Sequence, residues 1–239
     1  MTVSTSKAPA RIAGMFDDIA GRYDFLNHLL SAGMDRRWRR RAIDALKLTG
    51  SERLLDVCTG TGDVAIAAAN RRSGGAGRVV GVDFSGAMLR IGLEKVRRAS
   101  LESRVSLAQG DATKLPLPDR SFDAAIVAFG IRNVVDLDGA CRELHRVLGP
   151  GGRLAILEFG VPHTPGFSLV YRTYFRHIVP RIGRAISRHH EAYEYLPESV
   201  SQFPSNQAFV DVLRRAGFSS VNAVQMMMGA VYLYLATRD

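Results

Sequence analysis

Residues 54–69, LLDVCTGTGDVAIAAA, constrain the fold of this chain more than any other stretch. An apolar run ends at a carboxylate, a glycine-rich turn follows, and an alanine-rich segment comes next. A buried strand that enters a helix through glycines presents backbone N–H groups to a nucleotide-like ligand. The stretch therefore predicts an α/β fold with a ligand site at the end of its first strand.

Strands and helices alternate through the following hundred residues. The pattern predicts strands at 53–58, 78–83, 105–109, 122–129 and 153–159, and helices at 63–71, 85–98 and 136–148. Pro150-Gly151-Gly152 is predicted to end the last of these helices and turn into the strand RLAILEF. The alternation favours a doubly wound, mostly parallel, Rossmann-like sheet. SSVNAVQM and VYLYLAT add an antiparallel hairpin after the helix NQAFVDVLRRAGF, which makes seven strands.

The chain is expected to form one domain over residues 11–239, with a disordered tail at 1–10. Within the domain, 11–48 is predicted to form a helical N-terminal lid. Residues 165–200, basic and rich in aromatics, are predicted to form a helical insertion that faces the substrate and a membrane.

The charge balance points to anionic partners. The chain carries 32 Lys and Arg against 23 Asp and Glu, a formal charge of +9, and the basic residues are almost all arginine. Such a surface suits nucleic acid, an acidic metabolite or phospholipid headgroups.

Two cysteines without metal-ligand spacing predict neither a disulfide framework nor a metal site. The absence of a signal-like segment favours a cytoplasmic protein, and nothing in the sequence decides between a monomer and a homo-oligomer.

The glycine turn alone does not identify the ligand. Gly60, Thr61, Gly62 and Ala65 satisfy the dinucleotide pattern, and Asp83 stands where that pattern places a ribose-binding acid. Asp56 lies directly before the turn, where a carboxylate repels a pyrophosphate but suits an ammonium group. Asp111 and Ala112 follow the third strand, where a carboxylate and a backbone N–H can bind adenine. This acidic edge favours S-adenosylmethionine over a dinucleotide or a nucleoside phosphate.

Structural interpretations of the same residues stay open. Gly60 and Gly62 can form a tight turn without a ligand, Asp56 can hold the loop through its amides, and Asp111 can cap a helix.

Several longer segments resemble the menaquinone/ubiquinone biosynthesis C-methyltransferase family. They are MFDDIAGRYDFLNHLLSAGMDRRWRR, LLDVCTGTGD, LPLPDRSFD, AFGIRNVVD, RVLGPGGRLAILEFGVP and YLPESVSQFP, and the match runs from about residue 11 to the end. The resemblance implies a class I methyltransferase fold and methyl transfer from S-adenosylmethionine to a ring carbon of a polyprenylated quinol. The substrate favoured is demethylmenaquinol, with 2-methoxy-6-polyprenyl-1,4-benzoquinol as the alternative.

The resemblance also assigns residues. Thr61 and Asp83 match the family's cofactor positions, and Asp111 and Ala112 match its adenine-binding pair. Many relatives have serine where this chain has Ala128, so a cofactor contact through that hydroxyl is lost here.

The chemistry singles out Arg132 and Asn133, which follow the fourth strand. A quinol carbon becomes nucleophilic when its hydroxyl loses a proton, so the enzyme must stabilise a phenolate and exclude water. A permanently charged arginine suits that role, and Arg132 with Asn133 can position a water that accepts the proton. The structural alternative pairs Arg132 with a carboxylate such as Asp136. Tyr23, Asn27, Tyr193 and Tyr195 are candidate substrate-wall residues, and His28 is a candidate base.

An insoluble prenyl tail implies contact with a membrane. MDRRWRRR and VYRTYFRHIVPRIGRAISRHH combine aromatics with cations, as surfaces that bind anionic headgroups do. We expect peripheral attachment to the inner face of the cell membrane.

A nucleic-acid methyltransferase is disfavoured because no Asn-Pro-Pro-aromatic or Pro-Cys motif is present. A nicotinamide reductase is disfavoured by Asp56 and Asp111. A non-catalytic subunit that binds the cofactor can be distinguished from an enzyme only by an activity assay.

Overall fold

Seven strands form one sheet in the order β3-β2-β1-β4-β5-β7-β6. The structure is a computed structural model that describes residues 9–71, 73–162, 164–174, 177 and 191–239. Strands β1 to β5 pair in parallel, and β7 runs antiparallel to both β5 and β6. The strands are β1 Arg53–Val57, β2 Arg78–Asp83, β3 Val105–Gln109, β4 Phe122–Ala128, β5 Leu148–Phe159, β6 Ser219–Met226 and β7 Val231–Thr237. The predicted mostly parallel sheet with a C-terminal hairpin is confirmed.

Eight α-helices are described around this sheet. They are α1 Pro9–Leu30, α2 Met34–Ala45, α3 Asp63–Ala69, α4 Gly86–Arg98, α5 Leu137–Val147, α6 Phe167–Thr173, α7 Glu191–Gln202 and α8 Gln207–Arg215. One-turn 3-10 helices follow β4 at Ile131–Asn133 and β6 at Met227–Gly229. Several ends follow from local chemistry: the Ser85 hydroxyl caps α4 by accepting from the Met88 N–H, and Asp136 caps α5 through Gly139.

Both faces of the central strands are covered, which explains their unbroken apolar sequence. Residues 124–127 of β4 are each fully buried. One core lies against α5 and α8, and a second lies against α2, α3 and α4. The strand order reverses between β1 and β4, and open α/β sheets bind ligands at the carboxyl ends of strands beside such a reversal.

The prediction that residues 150–152 form a turn before the fifth strand is wrong. β5 already begins at Leu148, so these residues belong to the strand. The ladder to β4 shifts register between Phe122 and Ala124, and Gly151 adopts a φ of 71°. The Gly151 N–H donates to the Arg238 carbonyl at 2.7 Å. A residue near the C-terminus therefore provides a hydrogen-bond partner for the backbone of this irregular stretch.

The N-terminal and inserted segments are described in part. α1 begins at Pro9, and residues 1–8 of the predicted tail lie outside the described residues. The insertion contributes α6 and α7, while 175–176 and 178–190 lie outside the description. Their roles as lid and as substrate-facing insertion stay predictions. None of the described helices is both long enough and apolar enough to cross a membrane.

Candidate active site

The glycine turn after β1 is fixed to the end of β2. Gly60 and Gly62 have φ values of 57° and 79°, which favour glycine because it has no Cβ. The Asp83 carboxylate accepts hydrogen bonds from the Gly60 N–H at 2.7 Å and the Ser85 N–H at 2.9 Å. Burial raises the pKa of Asp83. Asp83 thus holds the turn in place and presents a half-buried carboxylate at the carboxyl edge of the sheet.

Asp56, at the end of β1, is almost fully buried. Its Oδ2 accepts a hydrogen bond from the Thr59 hydroxyl at 2.6 Å, and it is 1% exposed. Burial raises its pKa to about 7. The contact with Thr59 supports the interpretation that Asp56 orders the loop, and Asp56 also lines the cavity described next.

A cavity of about 120 Å³ lies over the carboxyl ends of β1, β2 and β4. Five predicted site residues line it: Asp56, Gly60, Thr61, Asp83 and Asn133. Gly62 begins α3, and Asp111 and Ala112 also lie outside the lining. Asp111 accepts from the backbone N–H and the hydroxyl of Thr113, each at 2.8 Å, so it closes a loop and does not cap a helix. Contact between Asp111 and an adenine stays a prediction.

Helix α1 lies across this cavity and is attached by two carboxylates. The Thr61 hydroxyl donates to Asp24 at 2.6 Å, and Lys95 Nζ donates to Asp24 at 2.9 Å. About two turns earlier in α1, Asp17 accepts a hydrogen bond from the hydroxyl of Ser85, the residue that caps α4. The turn that the sequence assigns to cofactor binding is therefore in direct contact with α1.

A polar network extends from Lys95 to helix α2. Asp63 pairs with Lys95 and accepts from Arg39 Nη1 at 2.6 Å. Arg39 also lies 3.5 Å from Asp35, which pairs with His28 at 3.1 Å. His28, the candidate base, is thus a partner of Asp35.

Arg132, in the turn after β4, forms a buried ion pair. Its Nη1 donates to Glu158 Oε1 at 2.8 Å and to the Phe129 carbonyl at 2.5 Å. Arg132 is 6% exposed and Glu158 is fully buried. Asp136, the carboxylate that the sequence suggested as a partner, instead caps α5 and lies 3.9 Å from Arg142. The structural alternative, a pair between Arg132 and a carboxylate, is thus present in the structure, but the carboxylate is Glu158 and not Asp136.

A second cavity, of about 300 Å³, has Arg132 in an otherwise largely apolar wall. Arg39 and Phe129 line both cavities, so the two adjoin. Burial raises the pKa of Tyr171, whose hydroxyl stays a donor to the Gly160 carbonyl at 3.2 Å. The side chains that make this wall apolar are Leu30, Met34, Trp38, Phe129, Phe159, Phe167, Tyr171, Tyr174, Leu196, Met227 and Val231.

Some sequence expectations need correction or lie outside the description. Trp38, predicted to stand on an exposed basic and aromatic surface, is buried 6.1 Å from Phe129 between ring centroids. It faces inward because the helical period separates it from the exposed arginines of α2. The side chains of Tyr23, Asn27 and Tyr193 lie outside the described residues. Tyr195 has a buried hydroxyl with no hydrogen-bond partner among the described residues.

Two residues that shape the site were missed. Glu158 is the one charge in the apolar strand AILEF, and a carboxylate in such a strand is a signal for a buried partner. Arg39 lies in a run of arginines where the sequence gives no sign that one of them turns inward.

Comparison with known proteins gives a consistent result. The sequence model of the ubiE/COQ5 methyltransferase family matches residues 2–238. A ubiquinone/menaquinone biosynthesis C-methyltransferase UbiE of Geobacter sp. (strain M21) is 44% identical over 233 residues, 98% of each chain. A demethylmenaquinone methyltransferase of Thermus thermophilus is 49% identical over 86% of this chain and 91% of its own length.

A third relative and one solved structure complete the comparison. A demethylmenaquinone methyltransferase of Bacteroides fragilis is 40% identical over 97% of this chain and 94% of its own. Among solved structures, an S-adenosylmethionine-dependent methyltransferase of Thermotoga maritima, titled a possible histamine N-methyltransferase, superposes with a TM-score of 0.67 at 21% identity. It covers 95% of this chain and 99% of its own, and this likeness shows the fold alone.

Proposed function

Because this chain belongs to the ubiE/COQ5 methyltransferase family, we propose that it methylates a ring carbon of a polyprenylated quinol, with demethylmenaquinol as the substrate. The observation that carries the proposal is the position of Arg132. It lies in the wall of an apolar cavity, and that cavity adjoins a second one lined by carboxylates. Relatives named demethylmenaquinone methyltransferase support the naphthoquinol substrate.

The first cavity has the chemistry that S-adenosylmethionine requires. Asp24, Asp56 and Asp63 surround one part of it and suit a ligand with an ammonium group, and Asp83 is placed to accept from hydroxyls. The Asn133 amide oxygen is buried without a partner among the described residues, so it offers a further acceptor.

The space, however, holds only part of such a ligand. Small-molecule sites usually enclose about 300–1,000 Å³, whereas this cavity measures about 120 Å³ beneath α1. We infer that α1 shifts when the cofactor binds and that its contacts with Thr61 and Ser85 then rearrange.

The reaction would form a bond between the methyl group and the ring carbon and break the S–CH3 bond, with S-adenosylhomocysteine as the leaving group. The methylated ring carbon then loses its own proton and the oxygen regains one, so that the aromatic quinol is restored with the net release of one proton. S-adenosylmethionine, when bound, supplies an electrophilic methyl group. Arg132 stabilises the phenolate that forms as the quinol hydroxyl loses its proton, and the nearby apolar side chains exclude competing water. Glu158 fixes the guanidinium from behind, since its two carboxylate oxygens contact Arg132 Nη1 and the Arg132 N–H.

The proton leaves through a water positioned by Arg132 and Asn133. An arginine keeps its own proton, so it holds the water and does not accept from the substrate. Asn133 belongs to the same 3-10 turn as Arg132 and lines the cofactor cavity. The pair thus spans the junction at which the methyl group must meet the ring carbon.

A membrane-facing surface adjoins the apolar cavity. Leu29 and Met228 are exposed next to Leu30 and Met227, which line it, and Phe25 lies one helical turn before Leu29 with 61% of its surface exposed. Arg36, Arg37, Arg40 and Arg41 of α2 are exposed as well. Apolar anchors beside cations suit an anionic lipid surface, from which a prenylated quinol can enter.

Competition between the two quinols tests the substrate. The enzyme is given labelled S-adenosylmethionine and equal amounts of demethylmenaquinol and 2-methoxy-6-polyprenyl-1,4-benzoquinol with the same tail, both kept reduced in detergent. We expect most of the label in the naphthoquinol product. Label mainly in the benzoquinol product would overturn the menaquinone assignment, and label in neither would overturn the quinol proposal as a whole.

A further inference from the structure

Arg39 differs from the other arginines of helix α2. The run Arg36, Arg37, Arg40 and Arg41 is exposed, whereas the Arg39 side chain is 13% exposed. Arg39 lines both the carboxylate-lined cavity and the apolar cavity. Burying a guanidinium is unfavourable unless acceptors compensate it, so the acceptors around Arg39 decide what this side chain can bind.

The hydrogen bonds of Arg39 use only one side of its guanidinium. Nη1 donates to Asp63 Oδ2 at 2.6 Å and lies 3.5 Å from Asp35 Oδ2. Nε is shielded from solvent and has no hydrogen-bond partner among the described residues. No described residue accepts from Nη2 either, so the edge formed by Nε and Nη2 has no acceptor among the described residues. That edge is the one on which a guanidinium binds a carboxylate through two parallel hydrogen bonds.

The carboxylates that Arg39 contacts have other partners. Asp63 pairs with Lys95, and Asp35 accepts from the Ser31 hydroxyl at 2.9 Å and pairs with His28. Arg39 and Lys95 together compensate Asp63, whose pKa is raised by burial and lowered by these two cations, but the contacts of Arg39 with Asp63 and Asp35 use Nη1 alone. A buried charged donor left without an acceptor is unfavourable, so a purely structural role does not explain why the Nε edge is retained.

We propose that the Nε and Nη2 edge of Arg39 binds the α-carboxylate of S-adenosylmethionine. The inference rests on the proposed function and assigns a cofactor contact to a residue outside the glycine turn. Asp24, Asp56 and Asp63 line the same cavity and suit the neighbouring ammonium, so the site has both charges that an amino-acid end requires. Because Arg39 also lines the apolar cavity, it lies where the amino-acid part of the cofactor approaches the quinol.

Binding calorimetry with two ligands that differ only in the carboxylate tests this assignment. The full chain is titrated with S-adenosylmethionine and with decarboxylated S-adenosylmethionine, as wild type, Arg39→Met and the exposed control Arg37→Met. We expect Arg39→Met to weaken S-adenosylmethionine binding roughly 10- to 100-fold. Decarboxylated cofactor should bind wild type and Arg39→Met with similar affinity, and Arg37→Met should match wild type with both ligands.

Other outcomes overturn the assignment in distinguishable ways. Equal weakening of both ligands in Arg39→Met, or no weakening of either, means that Arg39 does not bind the carboxylate. If Arg39→Met does not fold, Arg39→Lys keeps the charge without the two-donor edge and should narrow the affinity gap between the ligands. If S-adenosylmethionine and its decarboxylated form differ in affinity for Arg39→Lys by as much as they do for wild type, the proposal is wrong. Failure of wild type to bind either ligand overturns the proposed function itself.

Discussion

At the scale of single residues, the buried pair of Arg132 and Glu158 dominates the site. Arg132 lies in the turn after β4 and Glu158 near the end of the adjacent strand β5, and their ion pair joins two charges that are removed from water. Truncating one partner leaves the other charge buried and unpaired. A simple Arg132→Ala variant would therefore confuse loss of chemistry with loss of folding.

The first prediction separates these effects. Arg132→Met alone should lower the free energy of unfolding by about 3–5 kcal/mol, because Glu158 keeps an unpaired charge. The double variant Arg132→Met with Glu158→Leu should recover most of that loss, since apolar replacement of a buried pair is often neutral. Urea denaturation of the three proteins measures this, and a double variant as unstable as the single one would contradict it.

Asp56 gives a pH-dependent prediction. Its pKa is raised from 3.8 to about 7 by burial, so the folded protein keeps a proton that the unfolded chain has released. This contribution to stability is complete below pH 3.8 and is lost as the pH rises through about 7. Relative to Asp56→Asn, wild type should lose up to about 1.4 kcal/mol per pH unit within that window.

Denaturation of wild type and Asp56→Asn at pH 5, 6, 7 and 8 checks the sign. A difference in unfolding free energy that does not change with pH would show that Asp56 titrates as it does in an unfolded chain.

The sequence identified residues whose role follows from their place along a strand. Asp56, Gly60, Thr61 and Asp83 line the cavity because they follow the carboxyl ends of parallel strands, which the alternating pattern fixes. The charge of Glu158 in an apolar strand could have signalled a buried partner, but not which one, and Arg39 could not be recognised; their contacts are with residues 26 and 24 positions away.

At the scale of elements, helix α1 lies over the carboxylate-lined cavity and is attached beside it by two carboxylates. Asp24 connects it to Thr61 and Lys95, and Asp17 connects it to the start of α4. The contacts of Asp24 with Lys95 are charged and partly exposed, and such contacts open at a lower free-energy cost than buried apolar packing does.

Removing the charge of Asp24 should loosen this helix. In Asp24→Asn, backbone amides of α1 should exchange faster with deuterium, while the strands keep their protection because they lie in the buried cores. Hydrogen exchange followed by mass spectrometry measures both. Glu94→Gln, which disrupts only an exposed pair with Arg98, is the matched control. Unchanged exchange in α1 would show that Asp24 does not hold the helix.

Element boundaries were predictable where a cap or an apolar run marks them. The strands at 78–83, 105–109 and both strands of the hairpin have their predicted ends, and Ser85 caps α4 as expected. The start of β5 was not predictable. Gly151 and its neighbours suggest a turn locally, but hydrogen bonds to the distant residue Arg238 keep the segment in the sheet.

At the scale of the whole molecule, the cofactor cavity, the apolar cavity and the exposed apolar side chains follow one another in space. Leu30 and Met227 line the apolar cavity, and Leu29 and Met228 beside them are exposed. The net charge of +9 is concentrated in arginines, several of them on α2. Under the proposed function, a prenylated quinol would pass from a lipid surface to Arg132 without its ring crossing water.

This arrangement predicts that membrane binding depends both on the exposed arginines of α2 and on the exposed apolar side chains of α1. Replacing Arg36, Arg40 and Arg41 with Gln should weaken binding to vesicles of phosphatidylglycerol and phosphatidylcholine by roughly fivefold per arginine at low salt. Phe25→Ser with Leu29→Ser should weaken binding to neutral and anionic vesicles alike. Vesicle co-sedimentation measures both. Binding that does not depend on the anionic lipid fraction would contradict the electrostatic part.

The most direct test of the account is a single-turnover measurement of methyl transfer to demethylmenaquinol by wild type and the Arg132→Met, Glu158→Leu double variant. Cofactor affinity is measured in parallel. If Arg132 stabilises the phenolate, the double variant should bind S-adenosylmethionine as wild type does but transfer the methyl group roughly 10²–10³-fold more slowly. Transfer within a few-fold of the wild-type rate would show that Arg132 serves the fold and not the reaction.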